Sequence, residues 1–345
     1  MRLSIKRKIK VLIVDDSLLF REALARGVAA DPGIEVVATA ADPYMARDQI
    51  LQFEPDVMTL DVEMPRMNGI EFLKRLIPQY PIPVVVVSAV NHSVFDALNA
   101  GAVDFVTKPE IRNGHGFDSF INELIVKIKI ASTAKVGQLK KDSALKAPVG
   151  QVVSQNSRKI IAIGASTGGT EAIAHILKEL PREMPGIVIV QHIPPVFSRM
   201  YAERLNNTCL LEVKEAQTGD MVIPGRVLIA PGDFHMRLRR SGEQYTVECF
   251  KGERVNGHCP SVDVLFNSVA EIAADRTIGV ILTGMGYDGA KGLLALRKNG
   301  ALTIGQDEGS SIVYGMPKVA CELGAVAKQM PLDSIASAII SLLSS

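Results

Sequence analysis

A serine stands at the point where a buried strand gives way to a helix. Apolar residues run through Ile160–Ile163, small residues follow in Gly164–Gly169, and a helical pattern begins at Thr170. On such a tight turn the hydroxyl of Ser166 would be exposed above the sheet edge, which is how α/β proteins present a serine nucleophile. Gly-rich turns that open a helix also bind phosphate, so a nucleotide cradle is the alternative interpretation of this segment.

The next strand separates these two interpretations. It runs through Gly186–Val190 and ends in Gln191 and His192. A dinucleotide-binding fold places an acidic residue about 20 positions beyond the glycines, and a phosphate loop carries a lysine before a serine or threonine. Neither feature is present in the sequence. A histidine, whose ordinary pKa is about 6.5, is the usual base for taking a proton from serine. The pattern favours a serine–histidine site, with a purely structural histidine as the alternative for His192.

A third strand, Thr277–Leu282, runs into another Gly-rich turn that contains Met285 and Asp288. Asp288 would hold the second ring nitrogen of His192, fixing its tautomer and stabilising the imidazolium. The turn at Met285 would aim backbone N–H groups at a developing oxyanion, where one donor is worth on the order of a hundredfold in rate. Asp307 follows the next strand and is the rival, since spacing alone does not choose between the two aspartates.

The first half of the chain carries chemically useful side chains at the ends of four short apolar strands. These residues are Asp15 and Asp16 after Lys10–Val14, Asp61 after Pro55–Leu60, Ser88 after Val84–Val87 and Lys108 after Gly101–Thr107. Carboxylates that are brought together raise one another's pKa unless a counter-charge is present, and Mg²⁺ suits ligation by carboxylates, water and phosphate. The set predicts phosphoryl transfer to Asp61, with Mg²⁺ and Lys108 neutralising the phosphoryl oxygens. An ordinary acidic loop is the alternative for Asp15 and Asp16.

These residues need a scaffold that brings strand ends together. Between the strands lie helical patterns at Leu18–Ala30, Pro43–Phe53, Gly69–Ile77, Ser93–Ala100 and Phe117–Ile130. Alternation of strand and helix predicts an α/β fold in which a parallel sheet is covered on both faces and the site lies along its carboxyl edge. The join between the two halves is small and polar with scattered lysines, a composition typical of a flexible linker.

Two stretches of the chain resemble known families. Residues 10–130 resemble the receiver domain of two-component response regulators, through Val14–Ser17, Asp61–Gly69 and Asp104–Pro109. Residues 158–343 resemble the catalytic domain of the chemotaxis protein-glutamate methylesterases, the CheB family. The segments that carry this second resemblance are Ile163–Gly169, Gln191–Pro195, Ile229–His235, Pro260–Asp263, Leu282–Gly289 and Tyr314–Pro317. The resemblance implies two doubly wound parallel-sheet domains: a flavodoxin-like receiver at 8–130 and a Rossmann-like methylesterase domain at 158–345, joined by a flexible linker at 131–157.

In the receiver, the resemblance implies that Asp61 is the phosphoacceptor and that a histidine kinase is the phosphodonor. The other implied roles belong to the same site: Mg²⁺ binding by Asp15, Asp16 and Asp61 with the backbone carbonyl of Glu63, and phosphate sensing by the switch residues Ser88, Lys108 and Phe105.

In the second domain, the resemblance implies a catalytic triad of Ser166, His192 and Asp288, an oxyanion-hole N–H from Met285, and Thr167 close to the nucleophile. The substrates would be γ-methyl glutamyl esters on the cytoplasmic helices of methylated chemoreceptors, with methanol released and no cofactor needed. Family members also deamidate particular receptor glutamines by the same acyl-enzyme chemistry. The linker adds a hypothesis: the unphosphorylated receiver occludes the Ser166 site, and phosphorylation weakens that packing.

Two hypotheses from other functional classes stand beside this one. A receiver fused to a nucleotide-binding module would bind nucleotide tightly, and Ser166→Ala would not change its turnover. A receiver-gated binding module would keep an inactive esterase fold, although an intact Ser166, His192 and Asp288 argue against it.

The remaining histidines and cysteines give weaker signals. The turn-rich loop Gly252–Pro260 is of the kind that carries specificity. Within it His258 and Cys259 are adjacent, which is not the spacing of zinc ligands. Outside this loop, His235 follows Pro231–Asp233 in a loop that could approach the substrate, but an ordinary loop histidine is the favoured interpretation. The four cysteines lack C-x-x-C spacing, which is typical of reduced thiols in a cytosolic protein.

Composition limits the other possibilities. With 345 residues, 47% of them hydrophobic, the chain can build two cores. A net charge of +1 gives no strong attraction to nucleic acid or membranes, and no basic helix-turn-helix pattern is present. The basic residues near the start precede no signal-peptide segment, and no apolar run reaches the ~18 residues of a membrane span. We therefore expect a cytoplasmic protein that neither binds nucleic acid nor inserts into a membrane.

Overall fold

The computed structural model describes residues 7–89, 93–109, 115–136 and 159–344, with only the backbone of residue 115. The chain divides into two compact units, Met1–Leu139 and Lys140–Ser345. Most of the predicted linker, residues 131–157, lies outside the described residues. Each unit is built around its own parallel sheet.

The first unit is a five-stranded parallel sheet in the order β2-β1-β3-β4-β5. The strands are β1 (Ile9–Val14), β2 (Ile34–Ala40), β3 (Val57–Leu60), β4 (Val84–Ser88) and β5 (Asp104–Thr107). The connecting helices are α1 (Leu18–Ala29), α2 (Pro43–Phe53), α3 (Gly69–Leu76), α4 (Ser93–Asn99) and α5 (His115–Ala131). This strand order is that of the flavodoxin-like doubly wound fold, so the predicted architecture is confirmed.

Local sequence explains where these elements begin and why they are buried. The Asp42 carboxylate caps α2 by accepting hydrogen bonds from the backbone N–H groups of Tyr44 and Met45, and Pro43 occupies the first helical position. Strands β3 and β4 are buried at every position. Unbroken apolar strands are expected where helices cover both faces of a parallel sheet.

The second unit is a seven-stranded parallel sheet in the order β14-β13-β12-β6-β7-β9-β8. Its strands are β6 (Ile160–Ala165), β7 (Gly186–Gln191), β8 (Glu212–Glu215), β9 (Arg226–Ile229), β12 (Thr277–Ile281), β13 (Leu302–Gln306) and β14 (Lys328–Met330), and a separate antiparallel hairpin joins β10 (His235–Ser241) to β11 (Gln244–Phe250). The helices are α6 (Gly169–Glu179), α7 (Phe197–Thr208), α8 (Val262–Ala273), α9 (Ala290–Lys298), α10 (Met316–Glu322) and α11 (Leu332–Ser344), with a short 3₁₀ turn at Ala274–Arg276.

The order of the strands creates a crevice at the carboxyl edge. From β6 the chain moves outward to β7, and it later returns to the opposite side of β6 as β12. Adjacent strands whose connections leave in opposite directions mark the point where open α/β sheets bind ligands. The loops after β12, β6 and β7 therefore meet at one place. No helix within the described ranges is long and apolar enough to cross a membrane.

Candidate active site and candidate phosphorylation site

Ser166 lies on a tight turn directly after β6. Its backbone N–H donates to the carbonyl of Thr283 (3.0 Å), and its carbonyl accepts from the Gly169 N–H (2.7 Å). Gly168 precedes α6 with a φ of 76°, a conformation that favours glycine. A Cβ on Gly284 would lie 2.7 Å from the Ser166 Cβ, so only glycine allows the loop after β12 to approach the serine this closely. The small residues that drew attention in the sequence are required by this packing.

His192 follows β7 and forms a hydrogen bond with Asp288, with 2.9 Å between Nε2 and Oδ2. The carboxylate is 1% exposed and the imidazole 9% exposed, so the pair is shielded from water. The other ring nitrogen, Nδ1, is buried and has no hydrogen-bond partner among the residues that the structure describes. Because Nε2 is used by the aspartate, Nδ1 is the nitrogen that can take up a proton.

Asp288 is held by a set of donors around the N-terminus of α8. These are the backbone N–H groups of Val262 (2.7 Å) and Asp263 (3.2 Å), the Ser261 hydroxyl (2.8 Å) and the Asn256 amide (2.7 Å). Burial on its own would raise the pKa of the carboxyl group, but the hydrogen bond and charge of His192 and the Asn256 and Ser261 donors outweigh it and hold the pKa well below its usual range. The aspartate therefore stays ionised.

Asp307, the rival aspartate, makes different contacts. Its Oδ1 accepts hydrogen bonds from the backbone N–H (2.9 Å) and the hydroxyl (2.7 Å) of Ser310. It thus closes the turn after β13, whereas Asp288 is the aspartate that contacts His192.

Asn256 and Asp263 are site residues that the sequence did not single out. The Asn256 amide nitrogen bridges two carboxylates, donating to Asp288 Oδ1 and to Asp263 Oδ2, each at 2.7 Å. Asp263 also accepts from the Gly292 N–H (2.7 Å), and its pKa is raised mainly by burial. The Asn256-Gly257 pair is a recognisable turn signal, and it could have located the turn but not the carboxylates that it faces.

His258 lies against the candidate base. Its ring stacks on that of His192, with 3.7 Å between ring centroids and 11° between the ring planes. Burial, assisted by the neighbouring His192, lowers the pKa of His258 to about 4, so this ring is neutral near pH 7. The sequence had indicated only that His258 is not a zinc ligand.

Met285 and Thr167 border the serine turn. Met285 is 44% exposed, and its backbone N–H donates no hydrogen bond within the described part of the chain. Thr167 is buried, and its carbonyl accepts a hydrogen bond from the Thr283 hydroxyl (3.0 Å). The turn after β6 and the loop after β12 are therefore tied together on both sides of Ser166.

In the first unit, three aspartates and a lysine meet at the carboxyl edge of the sheet. Asp15, Asp16 and Asp61 each offer a carboxylate oxygen, and these oxygens lie within 4.8 Å of one another. The Lys108 ammonium is 2.8 Å from Asp15 Oδ2 and 2.6 Å from Asp61 Oδ2. Hard, anionic oxygen donors in this arrangement fit a divalent cation such as Mg²⁺.

The protonation of this cluster follows from burial and charge. Burial raises the pKa of Asp61, and the hydrogen bond from Lys108 offsets part of that effect. For Lys108, burial favours the neutral amine, but its hydrogen bonds to Asp15 and Asp61 prevail and raise its pKa. The lysine is therefore a fixed positive charge beside two buried carboxylates.

The other predicted residues of this site lie around Asp61. The backbone N–H of Glu63 donates to Asp61 Oδ1 (3.1 Å). The Ser88 hydroxyl, at the end of β4, is buried without a hydrogen-bond partner among the described residues. Phe105 is buried on β5, and the Lys127 ammonium lies 5.2 Å from the centre of its ring.

The fold and the two sites define a class: a receiver-type domain joined in one chain to an α/β domain with a hydrolase-type serine turn. Comparison with known families agrees with this class. Residues 161–339 match the family described as CheB methylesterase, and residues 11–114 match the response regulator receiver domain. The chain belongs to the CheB methylesterase family, with a receiver domain as its first unit.

Individual relatives span both domains. The chain is 63% identical over 337 residues to "Protein-glutamate methylesterase/protein-glutamine glutaminase 2" of Syntrophomonas wolfei, covering 98% of each chain. It is 53% identical to the protein-glutamate methylesterase/protein-glutamine glutaminase of Syntrophotalea carbinolica, also covering 98% of each. Among solved structures, the Thermotoga maritima CheB methylesterase catalytic domain is 42% identical, with a TM-score of 0.52, covering 53% of this chain and 98% of that one.

Proposed function

We propose that this protein hydrolyses γ-methyl esters of glutamyl residues on chemoreceptors, releasing methanol, and that it deamidates receptor glutamines by the same route. The observation that carries the proposal is the buried His192–Asp288 pair beside the Ser166 turn, in which His192 Nδ1 has no hydrogen-bond partner among the described residues. The relatives named as methylesterases and glutaminases support the substrate class.

Each group has a role in the proposed reaction. His192 Nδ1 takes the proton from Ser166 Oγ as that oxygen attacks the γ-carbonyl carbon, and the Asp288 carboxylate stabilises the resulting imidazolium. The Met285 N–H stabilises the oxyanion of the tetrahedral intermediate, beside Thr167. As the tetrahedral intermediate collapses, the proton passes from His192 to the ester oxygen, which leaves as methanol, or to the amide nitrogen of a glutamine substrate, which leaves as ammonia. An acyl-enzyme remains on Ser166. Water activated by His192 then hydrolyses the acyl-enzyme to glutamate, and no cofactor is needed.

We also propose that Asp61 accepts a phosphoryl group from a histidine kinase. Asp15, Asp16 and Asp61 would hold Mg²⁺, with the backbone carbonyl of Glu63, and the cation supplies charge neutralisation at the phosphoryl oxygens when bound. Lys108 supplies a second positive charge. The Ser88 hydroxyl, which has no hydrogen-bond partner in the described part of the chain, would bind a phosphoryl oxygen, and Phe105 would respond to the movement of Ser88.

Phosphorylation would act across the domain boundary. The proposed division is a receiver at 8–130, a linker at 131–157 and a methylesterase domain at 158–345. In the unphosphorylated state the receiver inhibits the Ser166 site, and phospho-Asp61 shifts the balance toward the active state. The location is cytoplasmic, where both a kinase and the receptor helices are accessible.

The test is methanol release from methyl-labelled chemoreceptor membranes, with and without a small phosphodonor and Mg²⁺. We expect Ser166→Ala to abolish release, and Asp61→Asn to abolish only the increase caused by the phosphodonor. The matched controls are Ser241→Ala on the exposed end of β10 and Asp48→Asn on the exposed face of α2, which should behave like the wild type. Release that persists in Ser166→Ala would show that the proposed nucleophile is wrong.

A further inference from the structure

The loop between β11 and α8 contains a tight, hydrogen-bonded turn that contacts the candidate catalytic pair. Val255 and His258 exchange two backbone hydrogen bonds of 3.0 Å each. The two central residues, Asn256 and Gly257, have φ values of 54° and 85°. Positive φ at both central positions is the geometry of a type I′ turn, and Asn-Gly is its preferred sequence. The turn therefore has one favoured conformation.

Both ends of this loop are attached to the start of β10. His235 Nε2 donates to the Glu253 carbonyl (2.9 Å), and the Ser261 N–H donates to His235 Nδ1 (3.2 Å). His235 is 2% exposed, so these bonds are protected from water. The histidine that the sequence indicated as an ordinary loop residue thus anchors the segment that carries Asn256 and His258.

The turn contacts both members of the catalytic pair. Asn256 donates to Asp288, and the flat face of His258 covers the flat face of His192 at 3.7 Å. The single hydrogen bond from His192 Nε2 to Asp288 fixes one point of the ring but leaves the ring free to tilt about that contact. A ring stacked on its face removes this freedom, because tilting would separate the two rings or force them together.

We propose that His258 is a positioning residue: its ring fixes the plane of the His192 imidazole, and with it the direction of Nδ1, the atom proposed to take the proton from Ser166. The inference rests on the proposed function of Ser166, His192 and Asp288. It assigns a part of the Gly252–Pro260 loop to the alignment of the base, and not to recognition of the receptor.

The charges around His258 agree with this role. The ionisable groups that act on it are His192, Asp288 and Arg254, and its pKa of about 4 keeps it neutral in the working range. A neutral aromatic ring tolerates the imidazolium that forms on His192 during turnover, whereas a second imidazolium stacked at 3.7 Å would oppose it.

The experiment measures methanol release by the full-length phosphorylated chain at several concentrations of methyl-labelled receptor membranes. His258→Ala and His258→Gln remove the ring, and His258→Phe keeps a flat ring that cannot ionise. We expect the ringless variants to lose on the order of a hundredfold in kcat, the scale of a misplaced catalytic group, with an unchanged half-saturating receptor concentration. His258→Phe should restore most of the rate.

The outcomes separate the positioning role from other roles. An unchanged kcat in both ringless variants, or a higher half-saturating concentration alone, would overturn the proposal and, in the second case, assign His258 to receptor binding. A His258→Phe variant as slow as His258→Ala would also overturn it. Thermal unfolding of each variant identifies any loss of kcat that is caused by a damaged fold. The test of the proposal is the kcat of the ringless variant that keeps the wild-type unfolding midpoint. Ser166→Ala in the same assay tests the proposed function separately, because activity there would contradict the nucleophile whatever His258 does.

Discussion

At the scale of single residues, the candidate active site depends on polar side chains that are buried and almost fully hydrogen-bonded. Asp288 receives donors from a helix N-terminus, a hydroxyl, an amide and an imidazole. A carboxylate held in this way is already oriented before the substrate arrives, so little reorganisation accompanies the formation of the imidazolium.

Asn256 allows this arrangement to be tested. Asn256→Gly keeps a backbone that accepts the φ of 54° but removes the amide that separates Asp288 from Asp263. We expect kcat for methanol release to fall by about tenfold, as for the loss of a charge-assisted hydrogen bond. Asn256→Asp should be more damaging, because it places a third carboxylate between two buried ones. Wild-type turnover by Asn256→Asp would contradict this account.

His258 gives the free energy of unfolding a specific pH dependence. Its pKa falls from 6.5 in the unfolded chain to about 4 in the folded protein. As the pH drops between these values the unfolded chain takes up the proton first, so stability is lost. The slope for one full proton is ~1.4 kcal/mol per pH unit, and partial exposure of the ring reduces it.

Urea unfolding at pH 7 and pH 5 measures this effect. Between the two pH values the free energy of unfolding should fall less for His258→Phe than for the wild type. The difference between the two losses should be about 1 kcal/mol or less. Equal losses in the two proteins would show that the His258 ring is not the group responsible.

At the scale of elements, Gly168 in the turn between β6 and α6 is constrained both by its backbone conformation and by a close contact. Its φ of 76° favours glycine, and a Cβ there would meet the Ile312 side chain at 2.8 Å. Gly242, in the β10–β11 hairpin, has a φ of 61° but no atom within 4 Å of the same position. The two glycines thus share the backbone conformation and differ in the close contact.

Alanine at these two positions separates strain from crowding. Gly242→Ala should cost about 1–2 kcal/mol of stability, the usual penalty of a left-handed residue, and should keep esterase activity. Gly168→Ala should cost more and should also lower kcat, because relief of the contact moves the turn that carries Ser166. Thermal unfolding and methanol release measure both effects, and equal behaviour of the two variants would contradict the contribution of the contact.

The helices and strands also show how much of the structure can be predicted from the sequence. Helices α1 to α4 begin at the residues predicted and end within one residue of the prediction, since caps such as Asp42 and strong periodicity act locally. The strand ends that carry Ser166 and His192 are local features too. Asn256 and His258 were missed because their partners, Asp288 and His192, are distant in the sequence. Only tertiary packing brings these residues together. The choice of Asp288 over Asp307 has the same origin: spacing left it open, and only the family resemblance pointed to Asp288.

At the scale of the whole molecule, the proposed inhibition by the receiver makes a direct prediction. Deletion of residues 1–157 should raise methanol release in the absence of a phosphodonor, by about 5- to 150-fold if the coupling has the usual size. The truncated chain should also no longer respond to phosphodonor and Mg²⁺. A rate equal to that of the unphosphorylated full-length protein would contradict inhibition by the receiver.

The position of β6 at the centre of its sheet has a consequence for how activity is acquired. His192 and Asp288 are 96 residues apart in the chain, and strands β8, β9 and the β10–β11 hairpin are synthesised between them. Contacts between distant residues form late, because the entropy of closing a long loop must be overcome before they stabilise the chain. A nascent or partly refolded second domain therefore holds Ser166 and His192 on the paired strands β6 and β7 but lacks Asp288, and we expect it to have little esterase activity until β12 and the loop after it join the sheet.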